Sequence, residues 1–199
     1  MLDLEKDCEV HILSQEHCIS DFDCGNADLN DFFNHDALAY KHQMLSRTFF
    51  FRHKDSGKIV CAFSFSASSI KVSDLPNARR KKVKELIPME KSLKSYPAIL
   101  IGRLGVSTEF GGYGIGSQLI DTIKSYCLSH FPDFVRYLLV DAYNEPDVVA
   151  FYQKNAFKPV FSNEEQEKDT YKQPPEEALR TRYMFYDMIK WRDMMITTE

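Results

Sequence analysis

The chain has 199 residues, enough for one domain with a large core, and its 44% hydrophobic and 27% charged content is ordinary for a globular protein. A formal net charge of -4 argues against a surface that binds nucleic acid everywhere, but it allows a local basic patch. The apolar runs, such as AILI at 98–101, are far shorter than the roughly 20 residues of a membrane span, and no signal peptide is visible. We therefore expect a cytoplasmic protein without a membrane partner.

Cysteine and histidine usage predicts no metal site. The five cysteines form no regular framework, which fits a reducing compartment. Several of these residues cluster near the N-terminus, but their spacings do not form the half-sites of a zinc centre. They are Cys8, His11, His17, Cys18 and Cys24.

The first half of the chain predicts a strand, a helix and a hairpin. EVHIL at 9–13 has the pattern of a strand. Asn26 can cap a following helix, whose apolar residues recur at helical spacing from Leu29 to Met44. Two β-rich runs, RTFFFRH at 47–53 and KIVCAFSFSAS at 58–68, flank the turn residues KDSG. The region 75–96 then carries two prolines and a dense basic run, which indicates a helical excursion.

The second half predicts one strand–turn–helix–strand–helix unit and a return to the sheet. The segments, in order, are a strand at 97–106, a glycine-rich turn, a helix at about 114–130, a strand at 136–143, a short helix at 145–155, a strand at 157–161, a polar loop at 162–179 and a last strand at 180–191. This order predicts a single α+β domain over 1–199 with a mixed central sheet.

The turn FGGYGIGSQLI at 110–120 is dense in glycine, and three phosphate-binding templates compete for it. A P-loop requires a lysine where this chain has Ser117. Neither register of a dinucleotide fingerprint places its three glycines correctly. The third template is a cradle of main-chain amides at a helix start, which needs no lysine because the backbone donates. A tight turn without a ligand stays open on the turn alone.

The surroundings of this turn resemble the GNAT superfamily of acetyl-CoA-dependent N-acetyltransferases. The resemblance rests on ILIGRLGVSTEFGGYGIGSQLIDTIKSY at 99–126, followed by LLVDAYNEPDVVAFYQKNAFKPV at 138–160. The earlier segment FDCGNADLNDFF, the LP before the basic run and the YP before IGRLGV look like the GNAT toxins of bacterial toxin–antitoxin pairs. That branch acetylates the α-amine of aminoacyl-tRNA.

The resemblance implies a mixed sheet with two splayed middle strands and a pantetheine arm lying between them. The Val106 N–H would polarise the thioester carbonyl, and Tyr152 in AFYQK would be the general acid. No general base is evident, although Glu109, Asp141 or water could serve. The cofactor-binding residues implied are Leu104, Gly105, Val106, Gly111, Gly112, Tyr113, Gly114, Ile115, Gly116, Ser117, Asn144 and Tyr152.

For the acceptor side, the resemblance implies a role for Arg103 of the GRL motif. The basic run, with Arg79, Arg80, Lys81 and Lys82, is either a solvated helix face or a contact for the phosphates of tRNA. A ribbon-helix-helix antitoxin is an implied partner, and the oligomeric state stays open, with a homodimer among the options. The alternative to an enzyme is a non-catalytic module that binds acyl-CoA.

Two positions depart from the family pattern. The loop usually begins with glutamine or arginine, and this chain has Gly111. The glycine usual before the terminal phenylalanine of the match is Ala156 here. If that position needs a positive φ, alanine costs about 1 kcal/mol, unless Asn155 takes the left-handed conformation instead.

Overall fold

The computed structural model describes residues 2–85, 87 and 93–198. Of the predicted basic excursion, residues 86 and 88–92 lie outside this part of the chain. The α-helices are α1 (Leu4–Asp7), α2 (Ala27–Asp31), α3 (Ala37–His42), α4 (Asn77–Val83), α5 (Ile115–His130), α6 (Pro146–Lys154), α7 (Glu164–Tyr171) and α8 (Met188–Thr198). The strands are β1 (Cys8–Ile12), β2 (Arg47–His53), β3 (Ile59–Lys71), β4 (Ser95–Val106), β5 (Tyr137–Tyr143), β6 (Lys158–Pro159) and β7 (Thr181–Asp187).

The strands are hydrogen-bonded in the order β1-β2-β3-β4-β5-β7-β6. This mixed sheet with its helices confirms the predicted fold class. The chain divides into two compact units, Met1–Ala67 with Ile101–Tyr126, and Ser68–Leu100 with Cys127–Glu199. The single domain over 1–199 stays a prediction.

The first unit is built on the β1-β2-β3 meander, whose strands pair antiparallel. The aromatic run of β2 is buried, which suits the high β-propensity of phenylalanine. Phe49 stacks on Phe63 of β3 with 5.0 Å between ring centroids. The main cluster of this core contains Leu13, Ile19, Phe22, Phe32, Phe33, Ala37, Phe50 and Ala62.

The helix predicted after Asn26 forms, but a π-helical turn interrupts it. The Asn26 side chain accepts from the Leu29 N–H at 3.1 Å, as expected of an N-cap. Between α2 and α3, Phe32–Asp36 forms the π-helical turn. This turn brings both Phe32 and Phe33 into the core, where their rings meet edge to face. π-Helical turns occur frequently at functional sites.

The second unit contains the antiparallel strands β5, β7 and β6. Its core cluster contains Ile70, Val72, Leu75, Val83, Tyr96, Ala98, Tyr137, Leu139, Val160, Phe161 and Phe185. The buried Tyr137 hydroxyl donates to the Val83 carbonyl at 2.8 Å and so fastens the end of α4 to β5. In the described part of the chain, no helix is both long and apolar enough to cross a bilayer.

The predicted polar loop at 162–179 is wrong over part of its length, because Glu164–Tyr171 is helix α7. Asn163 caps this helix through the Gln166 N–H. Glu167 is buried and accepts from Arg182 Nε at 2.8 Å and from the Tyr183 N–H at 2.6 Å. Burial raises the pKa of Glu167, and these donors oppose the rise. The helix thus depends on contacts that a local pattern does not contain.

The last strand is shorter than the predicted 180–191. It ends at Asp187, and helix α8 follows at Met188.

Ala156 adopts the left-handed conformation after α6, with φ of 68°, whereas Asn155 has φ of -88°. The Phe157 N–H donates to the Tyr152 carbonyl at 3.0 Å, and the Ala156 N–H donates to the Gln153 carbonyl at 2.9 Å. This pair of bonds is a Schellman motif, which requires a left-handed residue where Ala156 stands. Asn155 therefore does not take the strained conformation that the sequence left open.

We expect Ala156→Gly to raise the free energy of unfolding. A left-handed non-glycine residue costs about 1–2 kcal/mol, and the extra freedom of glycine in the unfolded chain offsets about 0.4–1 kcal/mol. The net gain should be about 0.5–1 kcal/mol in urea denaturation. Ala150→Gly, at an exposed position within α6, is the matched control and should lower the same quantity by a similar amount. Destabilisation by both substitutions would contradict the strain at Ala156.

Candidate active site

The end of β4 passes unusually close to the segment Phe22–Cys24. A Cβ placed on Gly105 would lie 3.1 Å from Cys24 Sγ and 3.2 Å from Phe22 Cε1. Gly102 is less crowded, since its Cβ would lie 3.4 Å from Ser64 Oγ. A side chain on Gly105 would thus require Phe22 and Cys24 to move by a few tenths of an ångström.

Two asparagines hold that segment in place. Asn34 accepts from the Phe22 N–H at 3.1 Å and donates to the Phe22 carbonyl at 2.9 Å. Asn30 Oδ1 accepts from the Cys24 N–H at 2.9 Å and from the Cys24 thiol at 3.1 Å. Burial raises the pKa of this thiol, which keeps Cys24 protonated and unsuited to act as a nucleophile.

The loop after β4 is tied back to the same region by its backbone. The Ser107 N–H donates to the Val60 carbonyl at 2.8 Å, and the Thr108 N–H donates to the Asp23 carbonyl at 2.9 Å. A short 3-10 turn, Thr108–Phe110, then leads into the glycines. The start of the loop is consequently fixed by β3 and by the segment that crowds Gly105.

Backbone conformation explains two of the loop glycines and does not explain the first. Gly112 and Gly114 have φ of 82° and 75°, and a Cβ on either would meet no atom within 4 Å. Gly111 has φ of -64° and ψ of 155°, which any residue adopts. A Cβ on Gly111 would make only an ordinary contact of 3.5 Å with the Thr108 carbonyl. The departure from the family pattern at Gly111 is thus not imposed by the fold.

Helix α5 starts at Ile115 with main-chain amides that point out of the helix. The Ser117 and Gln118 N–H groups donate to the Gly114 carbonyl at 3.1 and 3.2 Å. Within the described part of the chain, the N–H groups from Gly112 to Gly116 donate no hydrogen bond to another residue. Free amides together with the positive end of the helix dipole favour an anion at this position.

Arg103 lies on β4 between the two strand glycines and packs against the π-helical turn. Its guanidinium carbon lies 5.1 Å from the Phe32 ring centroid, a cation–π contact. Nη1 donates to the Gly102 carbonyl at 2.8 Å, while the buried Nε has no hydrogen-bond partner among the described residues.

The two candidate bases are both exposed. Glu109 forms an ion pair with Lys58 across an Oε2–Nζ distance of 2.5 Å. Asp141 projects from β5 in the second unit. Because the proton-accepting oxygen of Glu109 is bound by an ammonium group, neither its geometry nor its environment singles it out as a general base.

Tyr152, in the second unit, is only 8% exposed on helix α6. Its ring packs edge to face on Phe151 and Phe157, with centroid distances of 5.1 and 5.5 Å. Burial raises the pKa of its phenol above the ordinary value of about 10. The hydroxyl therefore keeps its proton across the physiological pH range, as a general acid must.

Asn144 follows β5, and its groups bind within the second unit. Nδ2 donates to the Leu179 carbonyl at 3.0 Å, and the main-chain N–H donates to the Arg180 carbonyl at 2.9 Å. These bonds fix the segment that leads into β7. Among the described residues, the other N–H and the carbonyl of the Asn144 side-chain amide make no hydrogen bond.

The two arginines predicted to touch phosphates instead bind backbone carbonyls. Arg79 donates to the Val160 and Pro159 carbonyls at 2.6 and 2.8 Å. Arg80 donates to the carbonyls of Val72, Ser73 and Leu75 at 2.9 to 3.3 Å. Both side chains fasten α4 to neighbouring segments of the second unit, and the phosphate contacts of the basic run stay a prediction. Among the described residues, no group of three or more His, Cys, Asp or Glu could hold a metal.

Comparison with known proteins identifies the family. The sequence model of the acetyltransferase (GNAT) family matches residues 27–157. A structure of AtaT with acetyl-methionyl-tRNAfMet is 19% identical, with a TM-score of 0.68 over 95% of this chain and 99% of that one. A tyrosine-to-phenylalanine mutant of KacT is 18% identical, with the same TM-score and coverages. AtaTR bound with acetyl-CoA is 17% identical, with a TM-score of 0.66 over 95% of this chain and 98% of that one.

The chain belongs to the GNAT acetyltransferase family. It is an acyltransferase that uses acetyl-CoA, as the sequence predicts. Its neighbours in structure are GNAT toxins of toxin–antitoxin systems. At these low identities the likeness concerns the fold, while the acceptor is a separate question.

The loop glycines should differ in their response to alanine. We expect Gly112→Ala and Gly114→Ala each to lower the free energy of unfolding by about 1 kcal/mol, because both residues need a left-handed backbone. Gly111→Ala is the control and should change it by less than about 0.5 kcal/mol. Urea denaturation measures all three, and an equal loss at Gly111 would contradict the conformational explanation.

Proposed function

We propose that this chain is an N-acetyltransferase that moves the acetyl group of acetyl-CoA to a primary amine. The observation that carries the proposal is the glycine loop at the start of α5. Its free amides and open positions at Gly112 and Gly114 fit the pyrophosphate of the cofactor. The residues proposed to hold it are Gly111, Gly112, Tyr113, Gly114, Ile115, Gly116 and Ser117.

The other cofactor contacts are assigned to β4 and to Asn144. The main chain of Leu104, Gly105 and Val106 supplies amide donors and acceptors for the pantetheine arm, and the free half of the Asn144 amide supplies another. The Val106 N–H is the donor assigned to the thioester carbonyl. When bound, acetyl-CoA supplies an acetyl group already activated as a thioester.

The reaction exchanges one bond for another and needs two proton movements. The amine nitrogen forms a bond with the acetyl carbon, the carbon–sulfur bond breaks, the amine loses a proton and the thiolate gains one. Tyr152 is assigned as the general acid because burial keeps its phenol protonated. Arg103, held against Phe32, is assigned to the acceptor side.

The acceptor we favour is the α-amine of aminoacyl-tRNA. AtaT has been captured with acetyl-methionyl-tRNAfMet, the product expected of such a transfer. In this chain, Lys81 and Lys82 of α4 are the members of the basic run that remain for phosphates after the arginines bind carbonyls. An antitoxin is proposed as a protein partner, since AtaT is also known bound to the C-terminus of the antitoxin AtaR.

A panel of acceptors tests both the N-acetyltransferase activity and the proposed tRNA acceptor. The protein, acetyl-CoA and one acceptor at a time are incubated, and release of free CoA is measured. We expect turnover with a charged tRNA and at least 100-fold less with the corresponding free amino acid or uncharged tRNA. Turnover with small amines alone would contradict the proposed tRNA acceptor but would support the proposed N-acetyltransferase activity. Absence of turnover with every amine, in a protein that binds CoA, would overturn both.

The role of Tyr152 is tested by Tyr152→Phe, which preserves the packing on Phe151 and Phe157. Loss of a general acid typically costs about 10²–10⁴-fold in kcat, so we expect that loss with KM for acetyl-CoA within about twofold. In the parent enzyme, the raised pKa predicts no alkaline decline of kcat below pH of about 10. Tyr171→Phe, on α7, is the control with unchanged activity. A Tyr152→Phe enzyme of full kcat would refute the assignment.

A further inference from the structure

Three lysines from distant parts of the sequence converge on one cavity in the second unit. Lys82 belongs to α4, Lys158 to β6 and Lys190 to α8, and we call them the lysine cluster. The cavity is lined by the lysine cluster together with Glu85, Ala156, Phe185 and Asp187.

The three side chains of the lysine cluster line the same cavity, so their positive charges repel one another. Lys158 and Lys190 approach within hydrogen-bonding distance, although ammonium groups have donors and no acceptor. This contact is the main reason why the pKa of Lys158 is lowered. Burial lowers the pKa of Lys82, and the charges of Arg79 and Lys158 lower it further. Positive charge has therefore accumulated at this cavity.

The carboxylates at the cavity do not balance this charge. Asp187 attracts Lys158, but its Oδ2 also accepts from Arg136 Nη2 at 2.8 Å and its Oδ1 accepts from the Ile189 N–H at 3.2 Å. Glu85 is exposed, and its charge raises the pKa values of both Lys82 and Lys158. Arg79 also acts on Lys82. Its guanidinium donates to the Val160 and Pro159 carbonyls, which are neutral and do not balance its charge. The cations at this cavity outnumber the carboxylates.

We propose that the lysine cluster is a binding site for a phosphate group. A phosphate presents several oxygens and up to two negative charges, which can accept from all three amines at once, whereas a carboxylate presents two oxygens and one charge. Lysine serves proteins as a point-charge ligand for phosphate. The site uses none of the residues assigned to the cofactor, and of the predicted acceptor residues it uses only Lys82.

The same phosphate chemistry has two sources. One is the phosphodiester backbone of an acceptor tRNA, and this source rests on the proposed function. The other is a free phosphorylated small molecule. Lys82 belongs both to the basic run and to the lining of the cavity, so the cavity adjoins the residues proposed to contact tRNA.

Inorganic phosphate is the first probe, because its binding is measured without turnover. We expect phosphate to raise Tm of the full chain more than sodium chloride of equal ionic strength, and the Lys158→Gln/Lys190→Gln double variant to lose this difference. Without phosphate, the double variant should melt at an equal or higher temperature, since two repelling charges are removed. Lys154→Gln/Lys172→Gln removes two charges at exposed positions outside the cavity, so it is the charge-matched control and should keep the phosphate response. A parent chain that does not distinguish phosphate from chloride, or a double variant that still does, would overturn the site.

Binding to tRNA then identifies the source of the phosphate. If the site holds the nucleic-acid backbone, the double variant should bind tRNA at least tenfold more weakly, with a salt dependence reduced by about one to two phosphate contacts. Unchanged tRNA binding with a lost phosphate response assigns the site to a free phosphorylated molecule. Failure of acetyl transfer in the acceptor panel would leave the phosphate result intact, so the two proposals fail separately.

Discussion

The crowded contact between Gly105 and the segment Phe22–Cys24 is the constraint that organises the first unit. A Cβ on Gly105 would lie 3.1 Å from Cys24 and 3.2 Å from Phe22, closer than most Cβ contacts, so the strand packs tightest here without a side chain. Asn30 and Asn34 hold the segment from the other side through paired hydrogen bonds. The next residues of the chain are then bonded to Val60 and Asp23. The direction in which the glycine loop leaves β4 follows from these contacts.

In the second unit, two arginines of the basic run have a structural role. Arg79 and Arg80 look like nucleic-acid contacts in the sequence, yet their guanidinium groups satisfy backbone carbonyls around α4. An arginine has several donors in a fixed plane, which suits it to gather carbonyls at a helix or strand end. Lysine has three donors on a single nitrogen, so it reaches only carbonyls that lie around one point. The arginines hold the surface on which the neighbouring lysines are presented.

Much of the fold and the glycine loop could be predicted from the sequence, because both depend on residue patterns within short segments. Gly112 and Gly114 have a positive φ, which the density of glycine in the loop indicates. Asn26 caps the following helix, as predicted from its position. Helix α7 was missed because its stability depends on the buried Glu167 and on Arg182 and Tyr183, which follow later in the chain. Lys158 and Lys190 carry no signal in the sequence either, since only tertiary structure brings them to Lys82.

Position 111 has a consequence for the evolution and engineering of this enzyme. Its backbone is extended and a Cβ there would make only an ordinary contact, so the first carbon of a side chain introduces no backbone strain. The neighbouring Gly112 and Gly114 have no such freedom, because their left-handed φ penalises other residues. Selection can therefore add a side chain at this one point of the loop while the loop keeps its shape. A saturation library at this codon would therefore test the proposed cofactor contact of residue 111 with little change in the stability of the loop.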